Sequence, residues 1–146
     1  MRLNIGCGPQ YIDGFVNVDI RAIPCDIRAD ARNLPFKDGA FDEIIASDVI
    51  EHFTPEEVKY VLEELSRTLH GTILFRLPCL DSIFDRYREG ERAEMISWWL
   101  YGAQNYKENF HYAVYDTKSI RRLLEKYFVV KEIVVEGTNM VVRGRR

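Results

Sequence analysis

Over its first third the chain alternates short apolar runs with turns. Leu3-Asn4-Ile5 and Phe15-Val16-Asn17-Val18-Asp19 read as two buried strands with little more than a turn between them. Ile20 to Asp30 holds a short third strand ending at Asp30. Asp30 to Phe36 then suggests a helical turn broken by Pro35, Lys37-Asp38-Gly39 a turn, and Phe41 to Ser47 the next strand. Thr54 is placed to cap a helix with Pro55 at its first position, and Glu57 three residues on completes a capping box. Val58, Val61, Leu62, Leu65 and Leu69 share one helical face, and Gly71 is expected to end that helix. A strand follows from Gly71 to Pro78. Asp116 or Thr117 caps a last helix running to Lys126, and Tyr127–Val135 with Thr138–Val142 form a hairpin about Glu136-Gly137. Taken together, the order predicts an α/β, Rossmann-like, mostly parallel sheet with an antiparallel hairpin at its C-terminal end.

Composition narrows this further. The 146 residues suit a single domain, 1–146, and 47% apolar with 29% charged residues is ordinary for a globular chain. A net charge of −3 gives no strong nucleic-acid signal, and Arg143, Arg145 and Arg146 read as a solvated tail. Cys7, Cys25 and Cys79 lack zinc-site spacing, so reduced thiols and no metal are expected. The absence of a signal-type or membrane-length apolar run leads us to expect a cytoplasmic protein with no membrane partner. Composition leaves the oligomeric state open.

The chemistry begins at the first strand's end. Gly6 and Gly8 bracket a bend where a Cβ would keep a ligand from the backbone, and Asp19 closes the second strand where it could accept both hydroxyls of a ribose. A turn or cap role for Asp19 stays open beside that. Dinucleotide binding is disfavoured: position 11 is Tyr rather than the third glycine, and Gly6 and Asp19 are too close for an intervening helix. Residues 80–115 form an insertion holding nine of the chain's eighteen aromatics, among them Trp98, Trp99, Tyr106 and Tyr112. It reads either as a lid over a substrate pocket or as a helical pair covering the sheet. His52 and His111 are candidate catalytic bases or structural histidines, whereas His70 is expected at a helix C-terminus.

These residues resemble the class I S-adenosylmethionine-dependent methyltransferases, especially small members with an LPF…FD…EH signature. LNIGCG at 3–8 is similar to the family's first glycine motif, VNVD at 16–19 to the strand ending in the ribose-binding acid, and 30–53 is the most specific match. The resemblance implies S-adenosylmethionine as cofactor, bound by Asn4, Gly6, Cys7, Gly8, Asp19, Ile20, Asp30, Ala31, Ser47, Asp48 and Val49. Asp30 would lie near the adenine amino group, the Ala31 amide would face the ring, and Ser47–Val49 would run beneath the methionine part. It implies a methyltransferase acting on a small-molecule or extended acceptor. A non-catalytic binding or scaffold module with the same fold is the alternative. The chain departs from the family in lacking the early helices and in carrying Pro9, which removes an amide donor.

Overall fold

A computed structural model describes all 146 residues. Seven strands form one sheet in the order β3-β2-β1-β4-β5-β7-β6. β1 (Arg2–Ile5), β2 (Val16–Asp19), β3 (Ile27–Arg28), β4 (Phe41–Ser47) and β5 (Leu69–Pro78) are mutually parallel. β6 (Val129–Glu136) and β7 (Asn139–Arg145) form the expected hairpin, and β7 inserts antiparallel beside β5. The helices are α1 (Val58–Thr68), α2 (Leu80–Arg88), α3 (Ala93–Tyr101) and α4 (Thr117–Leu124), with 3-10 turns at Ile50–His52 and Lys107–Asn109. As expected, no helix intervenes between β1 and β2 or between β2 and β3.

Registers explain how the strand pattern becomes a core. Leu3 pairs with Ile44, which pairs with Ile73, and Ile5, Ala46, Phe75 and Val142 form the neighbouring row. These rows are buried in one cluster with Val58, Val61, Leu62 and Leu65 of α1 and Ile120 and Leu124 of α4. Each such side chain apart from Ala46 contributes about 1.5–3 kcal/mol of transfer energy. The alternate positions point to the opposite face, where early helices would otherwise pack, and they are accordingly more polar: Asn4, Asn17, Glu43 and Arg76. Asn4 and Asn17 stay buried there because Asn4 Nδ2 donates to Asn17 Oδ1 and to the Gln10 carbonyl, while Asn17 Nδ2 donates to the Ile12 and Phe15 carbonyls. The 10–15 loop is thus pinned over the sheet by side-chain amides, doing part of a helix's covering work.

The reciprocal box forms, with the Thr54 amide donating to Glu57 Oε2 and the Glu57 amide to Thr54 Oγ1, but residues 55–57 are a turn and α1 begins at Val58 rather than Pro55. A second box joins Asp116 and Ser119 at α4. The C-terminal end of α1 differs. The helix stops at Thr68, and Leu69, His70 and Gly71 already belong to β5. Gly71 serves a close approach rather than a helix stop, since a Cβ there would lie 2.0 Å from the Asp42 carbonyl oxygen, beside the bulge between Phe41 and Glu43. His70 consequently meets no helix terminus; its Nδ1 lies 2.8 Å from the Gly39 carbonyl and its Nε2 2.9 Å from Asp42. The helical turn expected at 30–36 reduces to one hydrogen-bonded turn, in which the Asn33 amide donates to the Asp30 carbonyl at 3.0 Å, followed by bends. The arginine tail is not loose either: Arg143 and Arg145 lie in β7, and Arg146 donates to the Arg67 and Leu69 carbonyls.

Candidate active site

A cleft of about 430 Å³ opens at the carboxyl ends of β1, β2 and β4, with a smaller chamber of about 210 Å³ adjoining it. In an open α/β sheet this edge is where ligands bind. Gly6, Asp19, Ile20, Asp30, Ala31, Asp48, Val49 and His52 line the larger space; Asn4, Gly6, Cys7, Gly8, Ser47, Asp48 and His52 line the smaller. All eleven residues expected at the cofactor therefore converge on two connected chambers.

The bend after β1 is built from left-handed backbone at Gly6, φ +63°, and Gly8, φ +52°. At Gly6 the space that a Cβ would fill is occupied by the protein itself, with Val49 Cγ2 2.6 Å away. The amides beyond it are engaged: Cys7 donates to the Val18 carbonyl at 3.0 Å and Gly8 to Asp19 Oδ2 at 2.9 Å. Asn4 lines the small chamber while its amide group is spent on Gln10 and Asn17.

Asp19 is buried, yet its oxygens are surrounded by donors. The Arg21 amide and Nε reach Oδ1 at 2.9 and 3.0 Å, and Arg21 Nη2 reaches Oδ2 at 3.2 Å. Burial alone would push this carboxyl up; the Arg21 side chain and the two backbone amides outweigh it and hold it below the usual carboxylate range. Arg21 also lies 4.9 Å from the Tyr106 ring centroid and borders both chambers. A ribose reaching Asp19 would have to share it with that guanidinium. Nothing in the Asp19-Ile20-Arg21 sequence alone announced this, although an arginine two residues past a strand-end acid is placed to fold back on it.

Asp30 is held similarly. Arg32 hydrogen-bonds both its oxygens, holding the carboxyl down, and also pairs with Glu57 in the first turn before α1. On the far side, Asp48 adopts φ +54°, uncommon for a non-glycine residue, and pairs with Arg76 Nη1 at 2.7 Å. Ser47 Oγ donates to Asp48 at 3.2 Å.

The insertion contributes Tyr106, Lys107, Glu108 and Tyr112 to the larger cleft, while Trp98 and Tyr101 of α3 are more than half exposed. The later part of the segment thus borders the cleft, while α2 and α3 pack on one another. His52 sits on the cleft wall, with its Nδ1 3.0 Å from the Phe110 carbonyl. His111 lies behind it, ring centroids 4.9 Å apart, with its own Nδ1 3.1 Å from the Trp99 carbonyl. Burial lowers both imidazole pKa values, so both are neutral near pH 7. Sequence reasoning passed over their neighbour Glu51. Its side chain is buried with neither oxygen hydrogen-bonded, and burial, reinforced by Asp48, pushes its carboxyl up to about 8.

Residues 10–75 match the methyltransferase domain family. No curated protein sequence matches the chain. Among solved structures, a protein from Pyrococcus horikoshii superimposes with a TM-score of 0.72 at 22% identity, over 99% of this chain and 80% of that one. A SAM-dependent methyltransferase from Methanosarcina mazei gives a TM-score of 0.72 at 17% identity, covering 99% and 91% of the two chains. The Burkholderia thailandensis 1,6-didemethyltoxoflavin-N1-methyltransferase, solved with its substrate and S-adenosylhomocysteine, gives 0.73 at 15% identity, covering 99% and 70%. The sheet order and these likenesses show that the chain has the fold of S-adenosylmethionine-dependent methyltransferases, and residues 10–75 carry the match to the methyltransferase domain family.

Proposed function

We propose that the chain binds S-adenosylmethionine across the two chambers and transfers its methyl group to a small or extended acceptor held against the inner side of the insertion. The observation that carries this reading is the meeting of Asp19, Asp30 and the Gly6 bend in one cleft at the sheet's carboxyl edge, where the two carboxylates suit a ribose and an adenine amino group. The remaining lining fits the same ligand: Asp48 and Gly8 border the chamber where a charged amino-acid moiety would lie. When bound, the sulfonium supplies an already electrophilic methyl group, so this chain mainly has to align an acceptor and exclude water. Tyr106 and Tyr112 supply apolar walls with polar tips for that purpose. His52, neutral with an Nε2 lone pair and on the cleft wall, is the group available to receive a proton from a hydroxyl acceptor, whereas His111 stands behind it and borders neither chamber.

Fold alone does not carry the chemistry. A [4+2]-cyclase shares this architecture at 12% identity and a TM-score of 0.64. Calorimetry with S-adenosylhomocysteine, using NAD as a control, tests the reading. One saturable site is expected for the former and none for the latter. Asp19→Ala and Asp30→Ala, each confirmed as folded, should each weaken it by about tenfold to a hundredfold, the worth of a charge-assisted hydrogen bond. Absence of binding, or wild-type affinity in both variants, would count against it. Binding without methyl transfer to any fractionated extract would favour the scaffold module.

A further inference from the structure

We infer that Glu51, His52 and His111 form a binding site for one divalent transition-metal ion, of the zinc, iron(II) or cobalt(II) class, beside the cleft. The first observation is the orphaned carboxylate. Glu51 is 1% exposed, and neither oxygen has a hydrogen-bond partner. A buried polar group without partners is costly, and a bound cation is one way such a carboxylate is retained.

The second observation is the disposition of the two rings. Backbone carbonyls only accept, so the contacts of His52 Nδ1 with Phe110 and of His111 Nδ1 with Trp99 fix each proton on Nδ1. Each Nε2 therefore carries a lone pair, the tautomer found where an outer carbonyl orients a metal-bound imidazole. One ligand atom from each of the three side chains lies within 4.8 Å of the others. Ligands about 2.0–2.2 Å from a common ion sit somewhat closer together than that, a closure within reach of side-chain rotation.

The main chain holds the three together. Glu51 and His52 occupy the 3-10 turn after β4, and the Glu51 carbonyl accepts from the amides of Tyr112 and Ala113, the two residues that follow His111. The insertion is thus stitched to the turn where the ligands meet. Two imidazoles and one carboxylate leave further coordination positions, and because His52 borders the cleft an oxygen-bearing acceptor can take one. In the metal-bound protein both imidazoles act as ligands, and the cation orients the acceptor and lowers its pKa. That last role rests on the methyl-transfer reading, whereas the metal site stands without it.

The test uses full-length protein freed of metal by a chelator and titrated with Zn²⁺ by calorimetry and with Co²⁺ by visible absorption. One equivalent is expected, with the intense d–d bands of low-coordinate cobalt. Glu51→Gln, His52→Ala and His111→Ala should each weaken Zn²⁺ by about 100-fold or more, since outer-sphere changes alone cost about 10–100-fold. S-adenosylhomocysteine affinity of metal-free Glu51→Gln, measured in parallel, reports the fold and the cofactor cleft separately. Should a variant fail to fold, anomalous diffraction from wild-type crystals soaked in Zn²⁺ decides the matter by placing, or failing to place, the ion among these three side chains. Lack of stoichiometric binding, or unchanged Zn²⁺ affinity in folded Glu51→Gln and His111→Ala, would overturn the site.

Discussion

Substituting the two glycines of the first bend separates what each one does. Both adopt left-handed backbone, so Gly6→Ala and Gly8→Ala each cost about 1–2 kcal/mol from conformation alone. The surroundings then diverge. A Cβ on Gly8 meets only the far end of the Arg21 side chain, at 3.3 Å, which can swing away. A Cβ on Gly6 meets Val49 Cγ2 at 2.6 Å, and Val49 is a β-branched side chain, 6% exposed, with little room to turn. Overpacking of this kind adds roughly 1–3 kcal/mol, so Gly6→Ala should lose about 2–5 kcal/mol against about 1–2 for Gly8→Ala. Equilibrium urea unfolding at fixed pH measures both. Combining Gly6→Ala with Val49→Ala removes the obstructing methyl, so the double variant should lose less than the sum of the two single losses. Equal losses for the two glycine variants, or strict additivity with Val49→Ala, would refute the steric argument and reduce the motif to backbone conformation alone.

Further outcomes follow from the same structure. In metal-free protein Glu51 ionises near 8, against 4.5 when exposed, so its contribution is fully present below about 4.5 and is lost as pH rises through 8. At about 1.4 kcal/mol per pH unit the loss approaches roughly 5 kcal/mol; Glu51→Gln should abolish that slope in denaturation series run with chelator, and parallel slopes would contradict it. Asp19 behaves oppositely: its depressed pKa gives stability present above about 3.8 and lost as pH falls, and Asp19→Asn should flatten the acid limb. An unchanged acid limb would show that the Arg21 contacts contribute nothing. Gly71→Ala would place a Cβ 2.0 Å from the Asp42 oxygen and should cut soluble yield sharply, whereas wild-type Tm and yield would show that the strands can part there.

Much of the fold was legible because local chemistry and global need agree. Thr54 and Glu57 form the reciprocal box in the turn that leads into α1, which starts at Val58, and the helix's buried face lies at helical spacing. The end of α1 was misread because glycine has two uses, and only the β4 bulge shows that Gly71 serves close approach. His70 shifted with it from helix end to strand. Most of the cleft-lining residues were legible because they lie at or just beyond strand ends, where topology dictates what converges. Arg21 and Tyr106 were not, since their pairing joins a turn to a distant insertion. Glu51 is visible in the EH pair, but its meaning comes from being buried without a partner, a property of three dimensions.

The central claim is that Asp19 and Asp30 hold an adenosyl group above the Gly6 bend. A crystal structure of the chain with S-adenosylhomocysteine tests it most directly. The account predicts ribose hydroxyls on the Asp19 carboxylate, with Arg21 shifted to share it, and the adenine beside Asp30 and Ala31. An adenosyl group bound elsewhere, or an Asp19 carboxylate still engaged only by Arg21 and the Gly8 amide at saturating ligand, would contradict it.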